Sequence, residues 1–256
     1  MTKFAGKVVI VTGAGSGIGE ATAARFSHDG AAVVLVGRTA AKLEDVAREL
    51  GSVRTLIHAA DVSEQVAAEA MVAATLERFG RLDVLVNNAG VGHGGSFLEI
   101  SVEDWRKVMA IDVDGVFFCT RAALPALLET KGNIVNVSSV SGLGGDWNMS
   151  VLNAAKGAVT NLTRSLAVEL GPKGVRVNAV NPSLTLTNPT QSIESDPELM
   201  TKFAERIPLG RGAEAAEVAD VIAFLASVDA RFVTGVNLPV DGGLSASTGQ
   251  PKLASG

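Results

Sequence analysis

Seven short runs of apolar, mostly β-branched residues recur along the chain, at 8–11, 33–36, 55–59, 84–86, 134–137, 175–180 and 236–240. Their unbroken apolar character predicts strands buried on both faces, because a half-exposed strand would alternate with polar residues. Between them lie stretches with helical spacing of apolar positions, at 19–27, 40–50, 63–79, 102–128, 152–170 and 215–227. Alternation of this kind predicts an α/β fold, a doubly wound parallel sheet of about seven strands with helices on both faces. Ser63 beside Glu64, and Ser101 three residues before Asp104, are expected to mark helix starts. Residues 183–208 break the pattern with prolines and clustered Ser, Thr and Asp, which predicts a mobile flap over the strand ends. Residues 245–256 are rich in Ser, Gly, Ala and Pro and are expected to fray. No break in composition divides residues 1–256, so the chain reads as one domain.

Composition narrows the partners. Apolar residues make up 47% of the chain, yet no uninterrupted apolar run approaches the roughly 20 residues of a membrane-spanning helix. The apolar stretch at 7–11 runs straight into glycines and makes a poor signal-peptide core, so a cytoplasmic location is expected. A net charge of −5 with no run of Lys or Arg argues against nucleic acid and anionic membranes as partners. His28, His58 and His93 are scattered without ligand spacing, and no metal is expected. The single cysteine, Cys119, reads as a small apolar helix residue.

The first run ends in TGAGSGIG, residues 12–19, at what reads as a strand-to-helix turn. Glycines there let backbone N–H groups approach a pyrophosphate, and a helix N-terminus favours its charge. Gly13, Gly15, Ser16, Gly17, Ile18 and Gly19 therefore form a candidate phosphate cradle, with the spacing Gly13, Gly17, Gly19 and not the usual dinucleotide spacing, which fails at Ile18. NNAG at 87–90 follows the fourth run, Ser139 follows the fifth in NVSS, Lys156 lies early in the next helical stretch, and VDGG stands at 240–243.

Together these motifs resemble the short-chain dehydrogenase/reductase family in its single-domain branch, over about residues 5–244. The resemblance implies a Rossmann fold, an NAD or NADP cofactor, and hydride exchange between a small-molecule alcohol and its ketone. It further implies that Asn88, Ala89 and Gly90 line the cofactor, that Asp61 and Val62 meet the adenine, and that Thr185 and Thr187 meet the nicotinamide amide and the pyrophosphate. Ser139 would bind the substrate oxygen, and Lys156 would hold the nicotinamide ribose and lower the pKa of a neighbouring acid. It also implies a homotetramer with the helices that begin near Val102 and Leu152 as interfaces.

At its central step the chain departs from the family. The resemblance calls for a proton-transferring tyrosine four residues before Lys156 and thirteen after Ser139, and both counts land on Leu152. Leucine can neither donate nor accept a proton, and the chain contains no tyrosine. General acid–base groups usually contribute about 10²- to 10⁴-fold, so impaired turnover is expected. Asp112 stands where the family carries an asparagine behind the lysine, and Pro182-Ser183 replaces its Pro-Gly. Trp147 and Met149 either wall a substrate pocket or pack beneath the flap; Asp241 has no role assignable beyond its motif.

The second run ends in Gly37-Arg38. A carboxylate there would bind both ribose hydroxyls of NAD and repel a 2′-phosphate, so its absence, with a base beside it, favours NADP over NAD. Three readings stay open: an alcohol dehydrogenase or carbonyl reductase lacking its tyrosine, a cofactor-binding sensor or scaffold without turnover, and a changed reaction using Lys156 as base or Schiff-base amine.

Overall fold

The computed structural model describes residues 2–51, 54–187 and 190–250. Seven parallel strands form one sheet: Val8–Thr12 (β1), Ala32–Gly37 (β2), Thr55–Ala59 (β3), Val84–Asn87 (β4), Asn133–Val137 (β5), Arg176–Pro182 (β6) and, last in the chain, Asn237–Val240 (β9). Their order is β3-β2-β1-β4-β5-β6-β9. The order reverses between β1 and β4, and in open sheets of this kind the crevice beyond the strand ends at that point is where ligands bind.

Burial on both faces explains the unbroken apolar runs. Val9 and Val11 of β1, with Val33 and Leu35 of β2, belong to one core. Val8, Ile10, Val34 and Val36 belong to the other. Gly17–His28 (α1), Ala40–Leu50 (α2) and Ala215–Ala226 (α9) supply residues to the first core, including Phe26, Leu43, Val46 and Ile222. Gln65–Phe79 (α3), Gly115–Thr130 (α5) and Ser150–Leu170 (α6) close the second with Met71, Cys119, Leu127 and Leu170. Each fully buried side chain of this size contributes roughly 1.5–3 kcal/mol.

Two expectations need correction. The helix expected over 102–128 is split into Val102–Met109 (α4), a π-helical turn Ala110–Asp114, and α5. Apolar spacing does not register the extra residue of a π turn, which shifts the following side chains around the axis. Ser63 does not cap α3: Glu64 holds the N-cap position, while the Ser63 hydroxyl and amide donate to Asp61. Ser101 does cap α4, accepting from the Asp104 amide. The segment 183–208, whose residues 188–189 lie outside the described residues, carries Thr185–Leu186 (β7), Gln191–Glu194 (α7) and Pro197–Arg206 (α8), with β7 pairing to Ala213–Glu214 (β8). Asp196 accepts from the Glu198 and Leu199 amides and Pro197 opens α8, a helix-start signal visible in the sequence. In the expected tail, Leu244–Ala246 forms a short 3-10 turn and residues 251–256 lie outside the described residues.

Candidate active site

The TGAGSGIG turn lies between β1 and α1 at the carboxyl edge of the sheet. Gly13 and Gly17 have φ of +67° and +57°, a region that favours glycine. A Cβ on Gly13 would come within 2.8 Å of Asn88 Nδ2, and one on Gly19 within 2.1 Å of the Gly13 carbonyl. A Cβ on Gly17 would fall 3.0 Å from the Thr187 methyl, which brings Thr187 across the cradle. Gly15 lies against Lys42, and Ile18 packs onto the core. Ser16 precedes α1 in extended conformation, and the N–H groups of a first helical turn have no intrahelical partner. Glycines that keep Cβ atoms out of the turn and a 12-residue helix opening on it fit a dinucleotide pyrophosphate.

Thr12 locks the NNAG segment to this turn. Its hydroxyl accepts from the amides of Asn88 at 2.9 Å and Ala89 at 3.0 Å, and the Asn88 side chain donates to the carbonyls of Thr12 and Gly13. The Asn88 amide thus serves as a clamp between two strand ends. Arg38 lies 4.0 Å from the Asp61 carboxylate and is 60% exposed, free to turn toward a phosphate. Burial alone would raise the Asp61 carboxyl, but hydrogen bonds from Ser63 and the nearby Arg38 hold it below the usual carboxylate range. The Val62 side chain sits in the core against Gly115. Thr185 is buried on β7 and donates to the Ser183 carbonyl.

On the other side of the crevice, α6 presents Lys156 one turn after Leu152, so the two share a helix face. Lys156 donates to the Val137 carbonyl at 3.1 Å and pairs with Asp112 at 3.0 Å. Asp112 is fully buried on the π turn and accepts from the Val91 amide at 2.8 Å. A Cβ on Gly90 would strike the Asp112 carboxylate, so Gly90 permits the close approach of three segments. Leu152 is half-buried and presents only hydrocarbon.

Ser139 follows β5 and is held by Asn181, which donates to its carbonyl at 2.7 Å. Its hydroxyl donates to Ser141 Oγ at 3.1 Å and accepts from the Ser141 amide. The Ser141 hydroxyl in turn donates to the Asp146 carboxylate in a short contact. Thr12, Ser141, Asp146 and Asn181 were not singled out by sequence reasoning. Thr12 and Asn181 stand inside or beside recognised motifs, but nothing in the spacing tells which backbone groups they reach. Trp147 is 95% exposed, so it does not pack beneath 183–208, and Met149 abuts the loop at Gly94. Asp241 has a structural role: its carboxylate accepts from the Gly243 and Ser245 amides and fixes the turn after β9.

Cys119 is buried, and that burial pushes its thiol up to about 12, which leaves it unreactive. A separate cavity of about 550 Å³ opens at the opposite, amino-terminal edge of the sheet among Lys7, Asp83, Lys131 and Arg176, away from all these residues. Among the described residues, no helix is long and apolar enough to cross a membrane, and no group of His, Cys, Asp and Glu could hold a metal ion.

Known proteins are similar to this chain over nearly its whole length. A family model described as "Enoyl-(Acyl carrier protein) reductase" matches residues 13–245. Meso-2,3-butanediol dehydrogenase of Serratia marcescens is 54% identical over 251 residues, covering 98% of this chain and 99% of that protein. Glucose 1-dehydrogenase of Gluconobacter oxydans is 42% identical over 248 residues, 95% of this chain and 93% of its own length. The crystal structure of 3-ketoacyl-(acyl-carrier-protein) reductase from Brucella melitensis complexed with NADH superposes with a TM-score of 0.87 at 40% identity, covering 94% of this chain and 99% of that one. The chain belongs to the short-chain dehydrogenase/reductase family. Its seven-stranded parallel sheet flanked by helices is the Rossmann-type fold of that reductase.

Proposed function

We propose that this chain is a single-domain oxidoreductase that interconverts a secondary alcohol and a ketone, with turnover impaired because Leu152 occupies the place of the proton-transferring tyrosine. The observation that carries the reading is that the glycine cradle, Ser139 and the Asp112–Lys156 pair all gather at the carboxyl edge of one sheet, around its switch point. The bound dinucleotide supplies the hydride acceptor or donor. The backbone of residues 13–19 and Thr187 would hold its pyrophosphate, and Asp61 its adenine side. Lysine has three donors; Lys156 gives one to the Val137 carbonyl and meets Asp112 as an ion pair, which leaves capacity for a ribose hydroxyl. Ser139 would orient the substrate oxygen. Gly37 and Arg38 favour NADP over NAD, since no carboxylate meets the ribose hydroxyls there and Arg38 is exposed enough to reach a 2′-phosphate.

The named activity of the Serratia marcescens relative makes a small vicinal diol the first substrate to try. A homotetramer in the cytoplasm completes the proposal; exposed Val102, Trp105 and Phe117 on α4 and α5, and Val168 on α6, are apolar surface that a second copy would cover. A cofactor-binding protein without turnover is the second reading, favoured by the hydrocarbon surface of Leu152. Lys156 as a Schiff-base amine fits less well, because that use requires its release from both Asp112 and Val137. The test is calorimetric titration with NADPH and NADH, followed by nicotinamide absorbance with a panel of alcohols and ketones that includes meso-2,3-butanediol. Binding with measurable turnover supports the first reading, binding without turnover the second, and absence of binding removes both.

A further inference from the structure

We propose that Ser139, Ser141 and Asp146 form a proton relay from the substrate oxygen to solvent, which serves where Leu152 offers no ionisable group. This rests on the oxidoreductase reading above. The polarity of the hydrogen bonds carries the inference. Ser139 Oγ donates to Ser141 Oγ at 3.1 Å, and Ser141 Oγ donates to the Asp146 carboxylate. A hydroxyl has one proton and two acceptor sites. Ser139 spends its proton on Ser141 and accepts one bond from the Ser141 amide at 3.1 Å, which leaves an acceptor site for a substrate hydroxyl. The competing acceptor for the Ser139 proton, the Pro182 carbonyl, is farther at 3.4 Å.

Burial follows the same direction. Ser141 is buried, so the middle of the relay is shielded from water, while Asp146 is exposed and can exchange its proton with solvent. Asn153, adjacent to Leu152 on α6, fixes the segment: its amide donates to the carbonyls of Ser141 and Gly144 at 2.7 Å each, and its carbonyl oxygen accepts from the Asp146 amide at 3.4 Å. The relay is therefore held by the helix that carries Leu152 and Lys156.

In alcohol oxidation the carbinol C–H bond breaks and its electron pair leaves as hydride to the nicotinamide. The substrate O–H proton passes to Ser139 Oγ as the Ser139 proton passes to Ser141 and the Ser141 proton to the Asp146 carboxylate. The carbonyl double bond forms, and the protonated Asp146 releases its proton to water. Ketone reduction runs the same transfers backward. Asp146 acts through the two serines and touches no reacting atom, so it is a positioning and proton-accepting partner, not a catalytic residue.

The test compares Ser141→Ala, Asp146→Asn and Asp146→Ala with the unaltered chain, and repeats each substitution in a Leu152→Tyr background. Alcohol oxidation is followed with NADP+ and NAD+ on a panel containing meso-2,3-butanediol. In the unaltered background each substitution is expected to lower kcat at least ~10-fold with little change in KM. Added formate is expected to restore part of the Asp146→Ala rate, since a free carboxylate can take the proton. In the Leu152→Tyr background, where the phenol carries the proton, the same substitutions should cost far less. Equal losses in both backgrounds would mean a merely structural role and overturn the relay, as would no loss in the unaltered background or no rescue by formate. Asp146 is exposed, so its substitutions keep the test decisive if Ser141→Ala fails to fold. If the unaltered chain binds dinucleotide by calorimetry yet turns over no alcohol, the relay is overturned and the dinucleotide-binding reading stands; if it binds none, that reading fails and the relay with it.

Discussion

The Asp112 carboxylate and the Lys156 ammonium lie 3.0 Å apart, each almost wholly buried, with Gly90 closing over them. The two residues come from different helices, and the π turn at Ala110–Asp114 turns Asp112 toward its partner. Exposed pairs contribute little to stability. A buried pair is different, because removal of one member strands the other charge in a medium that solvates it poorly.

Asp112→Ala is accordingly expected to destabilise the fold by about 3–5 kcal/mol, since it strands Lys156 and also deprives the Val91 amide of its acceptor. Asp112→Asn keeps an oxygen for Val91 and should cost less. Urea denaturation of the three proteins checks the order; equal midpoints would show that the pair carries no stability.

Leu152→Tyr is expected to raise turnover at least about 10²-fold, the lower end for a positioned general acid. Leucine and tyrosine are both sizeable, Leu152 is only half-buried, and Lys156 stands one turn away, so the ring has room and a neighbouring cation. The measurement is initial NADPH oxidation with a ketone panel, beside a cofactor-binding control. A rise of less than about tenfold on every substrate, with binding intact, would shift weight to the reading without turnover.

Arg38→Ala is expected to weaken NADPH selectively, by about 1.5–3 kcal/mol for a charge-assisted bond to the 2′-phosphate, and to leave NADH nearly unchanged. Paired calorimetric titrations decide it. Equal effects on both dinucleotides, or none, would make Arg38 an idle surface residue and remove the preference for NADP.

Asp83 governs an acid limb of stability. Burial alone would raise its carboxyl, but bonds from Arg81 at 2.7 and 2.8 Å, from the Val8 amide at 3.0 Å and from Lys7 at 2.9 Å hold it below the usual aspartate range. A carboxyl lowered on folding contributes stability that is complete above its unfolded value and is lost as pH falls through its folded value. Asp83→Asn should therefore be less stable than the unaltered chain near neutrality, and the gap should narrow as the pH drops from about 5 toward about 2. Urea midpoints across that range test it, and a gap independent of pH would show that ionisation of Asp83 is not what stabilises β1 against β4.

The apolar runs at 8–11, 33–36 and 84–86 were legible as strands because a sheet covered on both faces needs apolar side chains at every position, and each strand falls where its run lies. The glycine turn was legible for a local reason as well, since positive φ and close approach leave few residue types able to occupy it. Leu152 enters the proposal as the place of a missing proton carrier only through the family resemblance, which counts residues from Ser139 and Lys156. What joins Thr12 to Asn88 and Ala89, Asp112 to Lys156, and Ser141 to Asp146 is of another kind. Those contacts depend on how strand ends, a π turn and a loop are brought together, and hydrophobic periodicity reports which face of an element is buried but not which polar groups meet at its end. The sequence by itself thus determined the sheet and the glycine turn, through local geometry and burial. Only the packing of β1 beside β4 and of α6 against the π turn decided that Lys156 has a carboxylate for a partner and that Ser139 points its proton toward Ser141, because those pairings exist only once distant segments share one edge of the sheet.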